Sequence, residues 1–347
     1  MGEKILVFRR GSIGDAIISI PALNHLRLRA PDGDLRILTN QPVMKRAAPL
    51  ASILENTPLC DGIYTLPPGG GSYFTIWDTL NKIKLWGPDR LVYLSEPSSP
   101  LKLAREYMFF RLCGIRHFTA LPLSWSLRTY HETTGLLWEP EYARLLRAVS
   151  PARVNVPDWT YEFDPEKAKE ADKIVSKWPG RHHFLALSIG AKLPDKDWGD
   201  ENWISVLDQL AAYDSSLGIM GIGAGEEKDR TDALLADWPG PILNLCGATL
   251  PITSALAMRE AKFYLGHDSG PMHLAALTGI QCVAVFSARA KPGVWFPHGE
   301  KHQVLYPWHK TSAVPPKTGL RTAGSSIMTI KVDDVVSACK TVLSCAE

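Results

Sequence analysis

The sequence predicts an α/β protein built from two similar halves, each a mostly parallel sheet with helices on its faces. A chain of 347 residues, 45% of them apolar, is long enough to fill two separate cores. Short apolar runs alternate with amphipathic stretches, as when parallel strands are joined by crossover helices. The runs also fall into two series, on either side of residues 150–165, where Pro151, Pro157 and Pro165 disfavour continuous helix and mark a linker.

In the first series the apolar runs place strands at 4–9, 35–39 and 90–94. In the second they place strands at 183–189, 217–222, 242–246, 263–267 and 282–286. Trp203, Val206, Leu207 and Leu210 recur at helical spacing, as do Val335, Val336, Cys339, Val342 and Leu343, so both segments read as helices packed on sheets. Asp200 and Asp333 precede these stretches, where a carboxylate caps free amides or favours the positive helix end. No repeat of about 20–50 residues appears. Open parallel sheets bind ligands beyond the carboxyl ends of their strands, so a cleft between the halves and motifs on strand-to-helix turns are expected.

Composition excludes several classes. Charged residues make up 21% and no low-complexity tract occurs, which argues against wholesale disorder. No stretch approaches the roughly 20 apolar residues needed to span a bilayer. The opening run Lys4 to Phe8 meets Arg9 and Arg10 at once and is too short for a signal peptide, so a cytoplasmic protein is expected. The cysteines at 60, 113, 246, 282, 339 and 345 form no CxxC pair, and His182 and His183 are adjacent rather than one helical turn apart, so no metal site is signalled. The net charge of +2 hides an asymmetry. Residues 1–150 carry 5 Lys and 13 Arg against 6 Asp and 7 Glu, giving +5, and the remainder carries −3. Such a bias suits either an anionic acceptor or lipid surface, or simply a solvated face.

Four turns could carry chemistry. Gly11-Ser12-Ile13-Gly14-Asp15 follows the opening strand; its glycines allow close approach of a substrate, and Asp15 stands where the next helix begins. Asp15 reads as a cap or as a general base, and the two roles are compatible. Asp268-Ser269-Gly270-Pro271-Met272-His273 follows the run at 263–267, and the free amides at its helix start would face an anion such as a diphosphate. Here Asp268 could hold a sugar hydroxyl, Ser269 a phosphate oxygen, and His273 a phosphate, against the readings of a structural cap and a satisfied buried histidine. Residues 188–198 place Lys192 and Lys196 after a strand, where they would neutralise a leaving diphosphate or merely decorate a surface turn; Trp198 and Trp203 read as packing residues. Gly221-Ile222-Gly223-Ala224-Gly225-Glu226-Glu227 places acids after a glycine-rich turn, where they commonly bind ribose hydroxyls. The GxxxxGK[ST] loop and the dinucleotide fingerprint are both missing, which weakens kinase and dehydrogenase readings.

The GSIGD turn, the KxxxKxW-like segment Lys192 to Trp198 and the DSGPMHLAAL turn together resemble glycosyltransferase family 9, which includes the bacterial ADP-heptose heptosyltransferases. That resemblance implies a GT-B fold, two Rossmann-like domains facing a central cleft. It implies an acceptor-binding domain over 1–155, a nucleotide-sugar domain over 156–330, and a carboxy-terminal helix over 331–347 that returns toward the first domain. On the same resemblance Asp15 matches the family's base, Lys196 a phosphate lysine, Glu226 the ribose-binding acid, and Asp268, Ser269, Gly270 and His273 the sugar-diphosphate turn. Lys192 stands where some heptosyltransferases carry a hydroxyl residue. Gly11, Ser12, Gly14 and Arg105 are the acceptor-side candidates, with Lys102, Arg111 and Arg116 adding to a basic surface.

The implied reaction is inverting transfer of a sugar, heptose from ADP-heptose, to a lipopolysaccharide-core or related anionic glycan or glycolipid. It uses no cofactor or metal and no covalent intermediate, and leaving-group charge is met by lysine, histidine and backbone amides. Peripheral contact with the cytoplasmic face of the inner membrane is expected, and no nucleic-acid partner is. Two other readings remain open at this stage: a nucleotide-sugar epimerase of the same architecture, and a non-catalytic sugar-nucleotide binding protein.

Overall fold

The computed structural model describes residues 2–42, 48–67, 71–96, 99–133, 137–150, 156–191, 193–307 and 326–344. The chain divides into two units, residues 1–131 with 139–162, and residues 132–138 with 163–347.

The first unit holds β1 (Lys4–Phe8), α1 (Ile13–Arg29), β2 (Asp34–Asn40), α2 (Ala51–Leu54), β3 (Gly62–Leu66), α3 (Tyr73–Trp86), β4 (Arg90–Tyr93), α4 (Pro100–Leu112), β5 (His117–Thr119), α5 (Trp125–Arg128) and α6 (Glu141–Val149). Its sheet runs β3-β2-β1-β4-β5 with every pair parallel. The central strand reads Ile-Leu-Val-Phe with all four residues buried, because both of its faces are covered. One face packs Leu6, Phe8, Leu38, Leu91 and Tyr93 against Leu80 and Ile83 of α3 and Leu103 and Phe110 of α4. Helix α1 packs against α2 and α6. Asn24 of α1 donates to the carbonyls of Asp158 and Thr160, and the Tyr161 hydroxyl donates to the Ile53 carbonyl, so residues 158–161 lie along this unit. Of the linker segment 150–165, residues 151–155 lie outside the described residues.

The second unit holds α7 (Pro165–Val175), β6 (Phe184–Ser188), α8 (Asp200–Tyr213), β7 (Gly218–Gly221), α9 (Lys228–Leu234), β8 (Ile242–Asn244), α10 (Pro251–Met258), β9 (Tyr264–His267), α11 (Gly270–Leu277), β10 (Cys282–Val285), β11 (Gln303–Leu305) and α12 (Val332–Ser344). Its sheet runs β11-β10-β9-β6-β7-β8, again parallel throughout. Trp198, Trp203, Val206, Leu207 and Leu210 fill the core against Leu185, Leu187, Leu265 and Val285, so the two tryptophans are packing residues. The expected helix at 331–347 is α12, and Val335, Val336, Cys339, Val342 and Leu343 bury its apolar face in this second core, beside α8 and β10. Asp200 favours the helix end from inside its first turn and does not cap it. The N-cap is Gly199, whose φ of 87° a side chain would strain, and Asp200 instead binds Arg230.

In both sheets the order doubles back at one pair of strands, β1 beside β4 and β6 beside β9. Crossovers leaving such a pair depart in opposite directions and leave the carboxyl ends open to a ligand. Chain approach is tight at the second of these points. A Cβ on Gly266 of β9 would lie 2.3 Å from the Ser188 carbonyl oxygen and 2.5 Å from the Tyr264 hydroxyl, both in fixed surroundings. Gly266→Ala should therefore destabilise the second unit by about 1–3 kcal/mol, read as a lowered denaturant midpoint.

Candidate functional site

In the first unit the site is built at the carboxyl ends of β1, β2 and β4. The Gly11 amide donates to Asn40 Oδ1 at 3.2 Å and the Arg10 amide to Ser95 Oγ at 2.9 Å, which pins the turn to its two neighbours. Ser12 is the N-cap of α1, and Asp15, three residues on, accepts from the Ser12 amide through Oδ2 at 2.9 Å. Gly11 adopts φ 140°, and a Cβ there would fall 2.1 Å from Asp15 Cγ, so the carboxylate lies directly over the glycine. The capping reading of Asp15 is thus realised, while a quarter of its side chain still reaches solvent.

Arg9 holds the other carboxylate oxygen. Its side chain, 1% exposed, donates to Asp15 Oδ1 and to the Asp15 carbonyl at 3.3 Å each, to the Leu94 carbonyl at 2.7 Å and to Glu141 Oε1 at 3.1 Å. Glu141, fully buried on α6, is gripped in turn by Arg144 at 2.7 and 2.8 Å and by the Tyr130 hydroxyl at 3.0 Å. Burial alone would push the Glu141 carboxyl up, but the hydrogen bonds and charge of Arg144, then of Arg9, outweigh it and hold the group below the usual carboxylate range. Arg9 and Glu141 are 132 residues apart, so this network has no local sequence signal. Arg105, an acceptor-side candidate, is exposed on α4; it is its neighbour Glu106 that reaches the turn, pairing with Arg10 at 3.2 Å.

In the second unit the loops after β6, β7 and β9 converge. Lys196 Nζ donates to Asp268 Oδ2 at 2.6 Å and to the Asp268 carbonyl at 3.3 Å, clasping two of the turns singled out from sequence. Lys192 lies outside the described residues. Ser269 is the N-cap of α11 and Gly270 and Pro271 begin it, so the free amides of that helix end beside the Lys196 and Asp268 pair. His273, one turn into α11, is 4% exposed and sits edge-on to Trp295. Of the acids after β7, Glu226 is exposed, whereas Glu227 turns back. Its Oε2 accepts from the Ala224 amide at 2.7 Å, and its carboxylate lies so close to Gly190 and Gly223 that a Cβ on either would meet it at 1.9 and 2.3 Å.

Several residues that sequence reasoning passed over brace this site. His267 Nε2 accepts from the Trp198 amide at 3.1 Å, tying β9 to the loop that carries Lys196, and burial pushes this imidazole down to about 4 and keeps it neutral. Arg230 of α9 binds Asp197 at 2.8 and 2.9 Å, and Arg289 binds Asp195 at 3.1 Å, so both acids flanking Lys196 are drawn aside. His298 lies close to His273 and His302, and burial, then those two rings, push it down to about 3. Apart from His298 and His302, which share one loop, local spacing signals none of these, because the partners lie far apart in the chain. Among the described residues no group of three His, Cys, Asp or Glu side chains is arranged to hold a metal ion, and no helix is long and apolar enough to cross a membrane.

Comparison with known proteins gives the family and the fold. The family model described as glycosyltransferase family 9 (heptosyltransferase) matches residues 116–315, more than half of the chain, a span that contains Lys196 and the Asp268 turn and begins after Asp15. No curated protein sequence matches. Among solved structures, a glycosyl transferase family 9 protein from Veillonella parvula aligns with a TM-score of 0.75 at 18% identity, covering 99% of this chain and 97% of that one. The E. coli ADP-heptose lipopolysaccharide heptosyltransferase II aligns at 0.70 and 16%, covering 98% of each chain. The E. coli heptosyltransferase WaaC with ADP-2-deoxy-2-fluoro heptose aligns at 0.66 and 15%, covering 97% and 99%. These likenesses show the fold, which is GT-B with a Rossmann-like sheet in each unit.

Glu141 carries the testable weight of the first-unit network. Glu141→Leu should destabilise that unit by about 3–5 kcal/mol, since it strands two buried cations. With its folded value depressed, the native carboxylate contributes in full above the ordinary value of about 4.3 and loses that contribution as pH falls through the folded value. Acid titration of unfolding should accordingly be steeper below that point for the native protein than for the variant.

Proposed function

The chain belongs to glycosyltransferase family 9, and from that premise we propose that it transfers heptose from ADP-heptose to a hydroxyl of an anionic, lipopolysaccharide-core-like glycan or glycolipid. Transfer proceeds with inversion at the anomeric carbon and without a bound metal. The observation that carries this reading is the Lys196 and Asp268 pair beside the start of α11. An ammonium and a row of free amides together supply the positive potential that a leaving diphosphate needs, with no ion required to do so. The pair is partly open to solvent, with side-chain exposures of 22% and 10%, so a ligand can enter and share it.

Each group has a task in a single displacement. Lys196, the α11 amides and His273 take up charge on the departing diphosphate, while Asp268 accepts from a sugar hydroxyl. The acids after β7 bind the ribose: Glu226 by its match to the family, with Glu227 the one whose carboxylate turns toward the loop after β6. In the first unit the acceptor lies along Gly11, Ser12 and Gly14, and Asp15 removes its proton as the new bond forms. The Ser12 amide and Arg9 fix both carboxylate oxygens, so the base is oriented before the acceptor arrives. On this reading the reaction is cytoplasmic.

Asp15→Asn keeps the shape and hydrogen-bond acceptor of the side chain and removes its basicity. Acceptor-dependent release of ADP should fall roughly a hundredfold to ten-thousandfold, with ADP affinity unchanged by calorimetry; retained turnover would refute the assignment. Lys196→Gln should weaken ADP binding by roughly tenfold to a hundredfold while sparing adenosine, because only the diphosphate loses a charged partner. Equal losses for both ligands would remove Lys196 from the phosphate site.

A further inference from the structure

Helices α3 and α4 pack side by side on one face of the first sheet, burying Leu80, Ile83, Leu103 and Phe110. Their outward faces are unusual for a water-facing surface. Among the described residues, eight of the eighteen large apolar side chains left exposed lie on these two helices, although the pair is a small part of the chain. On α3, Tyr73 and Trp77 stand one above the other at 92% and 62% exposure, with Phe74 and Leu85 on the adjoining line at 86% and 88%. On α4, Leu101, Arg105, Met108 and Leu112 recur at spacings of four, three and four, which sets them in one stripe down the helix.

Cations are interleaved with these groups. Lys82, Lys84, Lys102, Arg105 and Arg111 are exposed on the two helices, against a single exposed carboxylate, Asp78, which Lys82 already binds at 2.7 Å. The other acid, Glu106, turns inward to Tyr93 and Arg10. We propose that the outward face of α3 and α4 docks on an anionic lipid bilayer, with both helices against the interface, aromatic and aliphatic side chains entering the headgroup layer and the cations meeting lipid phosphates.

Three features select this occupant. Aromatic and aliphatic groups alternating with Lys and Arg on a helix face suit the boundary between headgroups and acyl chains, where each kind of side chain finds its own medium. Protein interfaces, by contrast, are depleted in lysine at their centres. A second copy of the chain would bring like charges face to face, which opposes self-pairing.

Flotation of the full-length protein with vesicles tests this. Binding is expected to vesicles of phosphatidylglycerol mixed with phosphatidylcholine, release in high salt, and little binding to phosphatidylcholine alone. Lys84→Glu, Lys102→Glu and Arg111→Glu combined should lower partition by roughly a hundredfold or more. Phe74→Ser with Trp77→Ser should lower it independently, with unfolding temperature and ADP binding preserved in both variants because the altered side chains are exposed. Absence of binding by the native protein, equal binding to both vesicle types, or binding by either variant at the native level would overturn the proposal. So would a concentration-dependent dimer that the apolar variant turns into a monomer. Partition is read without donor or acceptor, so its failure leaves the sugar-transfer reading standing, and the reverse also holds.

Discussion

A parallel sheet must reverse its strand order somewhere if helices are to cover both faces, and the central candidate side chains of this protein, Asp15, Lys196 and Asp268, depend on that reversal. At β1 beside β4 and at β6 beside β9, successive crossovers depart to opposite sides. Asp15 and Ser95 emerge at the first point, Lys196, Asp268 and the start of α11 at the second. The need to bury two apolar sheet faces thus sets the points at which these candidate residues stand.

The two units handle charge in opposite ways, in keeping with their proposed tasks. In the first, Arg9, Glu141 and Arg144 are withdrawn from water and satisfied by one another, which makes the network rigid and costly to break. Asp15 sits at its edge, held at both oxygens and still open to a substrate. In the second, Lys196 and Asp268 remain partly solvated, where an ion pair is worth little and is readily exchanged for contacts to a ligand. The neighbouring acids Asp195 and Asp197 are drawn off by Arg289 and Arg230, so they do not compete for the lysine. On the proposed reading, the fixed carboxylate serves as the base and the exchangeable lysine as the leaving-group cation of a single displacement.

Much of the fold is legible in the sequence, and what is not legible is hidden for three separate reasons. Strands at the centres of the sheets, such as β1, β6 and β9, are buried on both faces and appear as apolar runs. The strands without a sequence signal, β3, β5 and β11, all lie at sheet edges, where Gly-Ile-Tyr-Thr-Leu, His-Phe-Thr and Gln-Val-Leu are half exposed and carry no such run. Asp200 shows a different limit. Its position next to a helix start is plain, but only the backbone angle of Gly199 decides which residue is the cap. Glu226 and Glu227 show a third, since adjacent acids look alike in sequence and only one turns toward the loop after β6.

By itself the sequence determined the class of fold, the two series of strands, the turns on which the candidate residues stand and the resemblance to the family, because each of these is written in local spacing and residue type. The tertiary structure decided which of those turns meet, that Arg9 and Glu141 orient Asp15, that Lys196 closes on Asp268, and that α3 and α4 leave aromatic and basic side chains uncovered. Such facts depend on groups brought together across as many as 132 residues of chain. Burial and charge pairing act through space, and a linear pattern carries no record of distances that only packing sets.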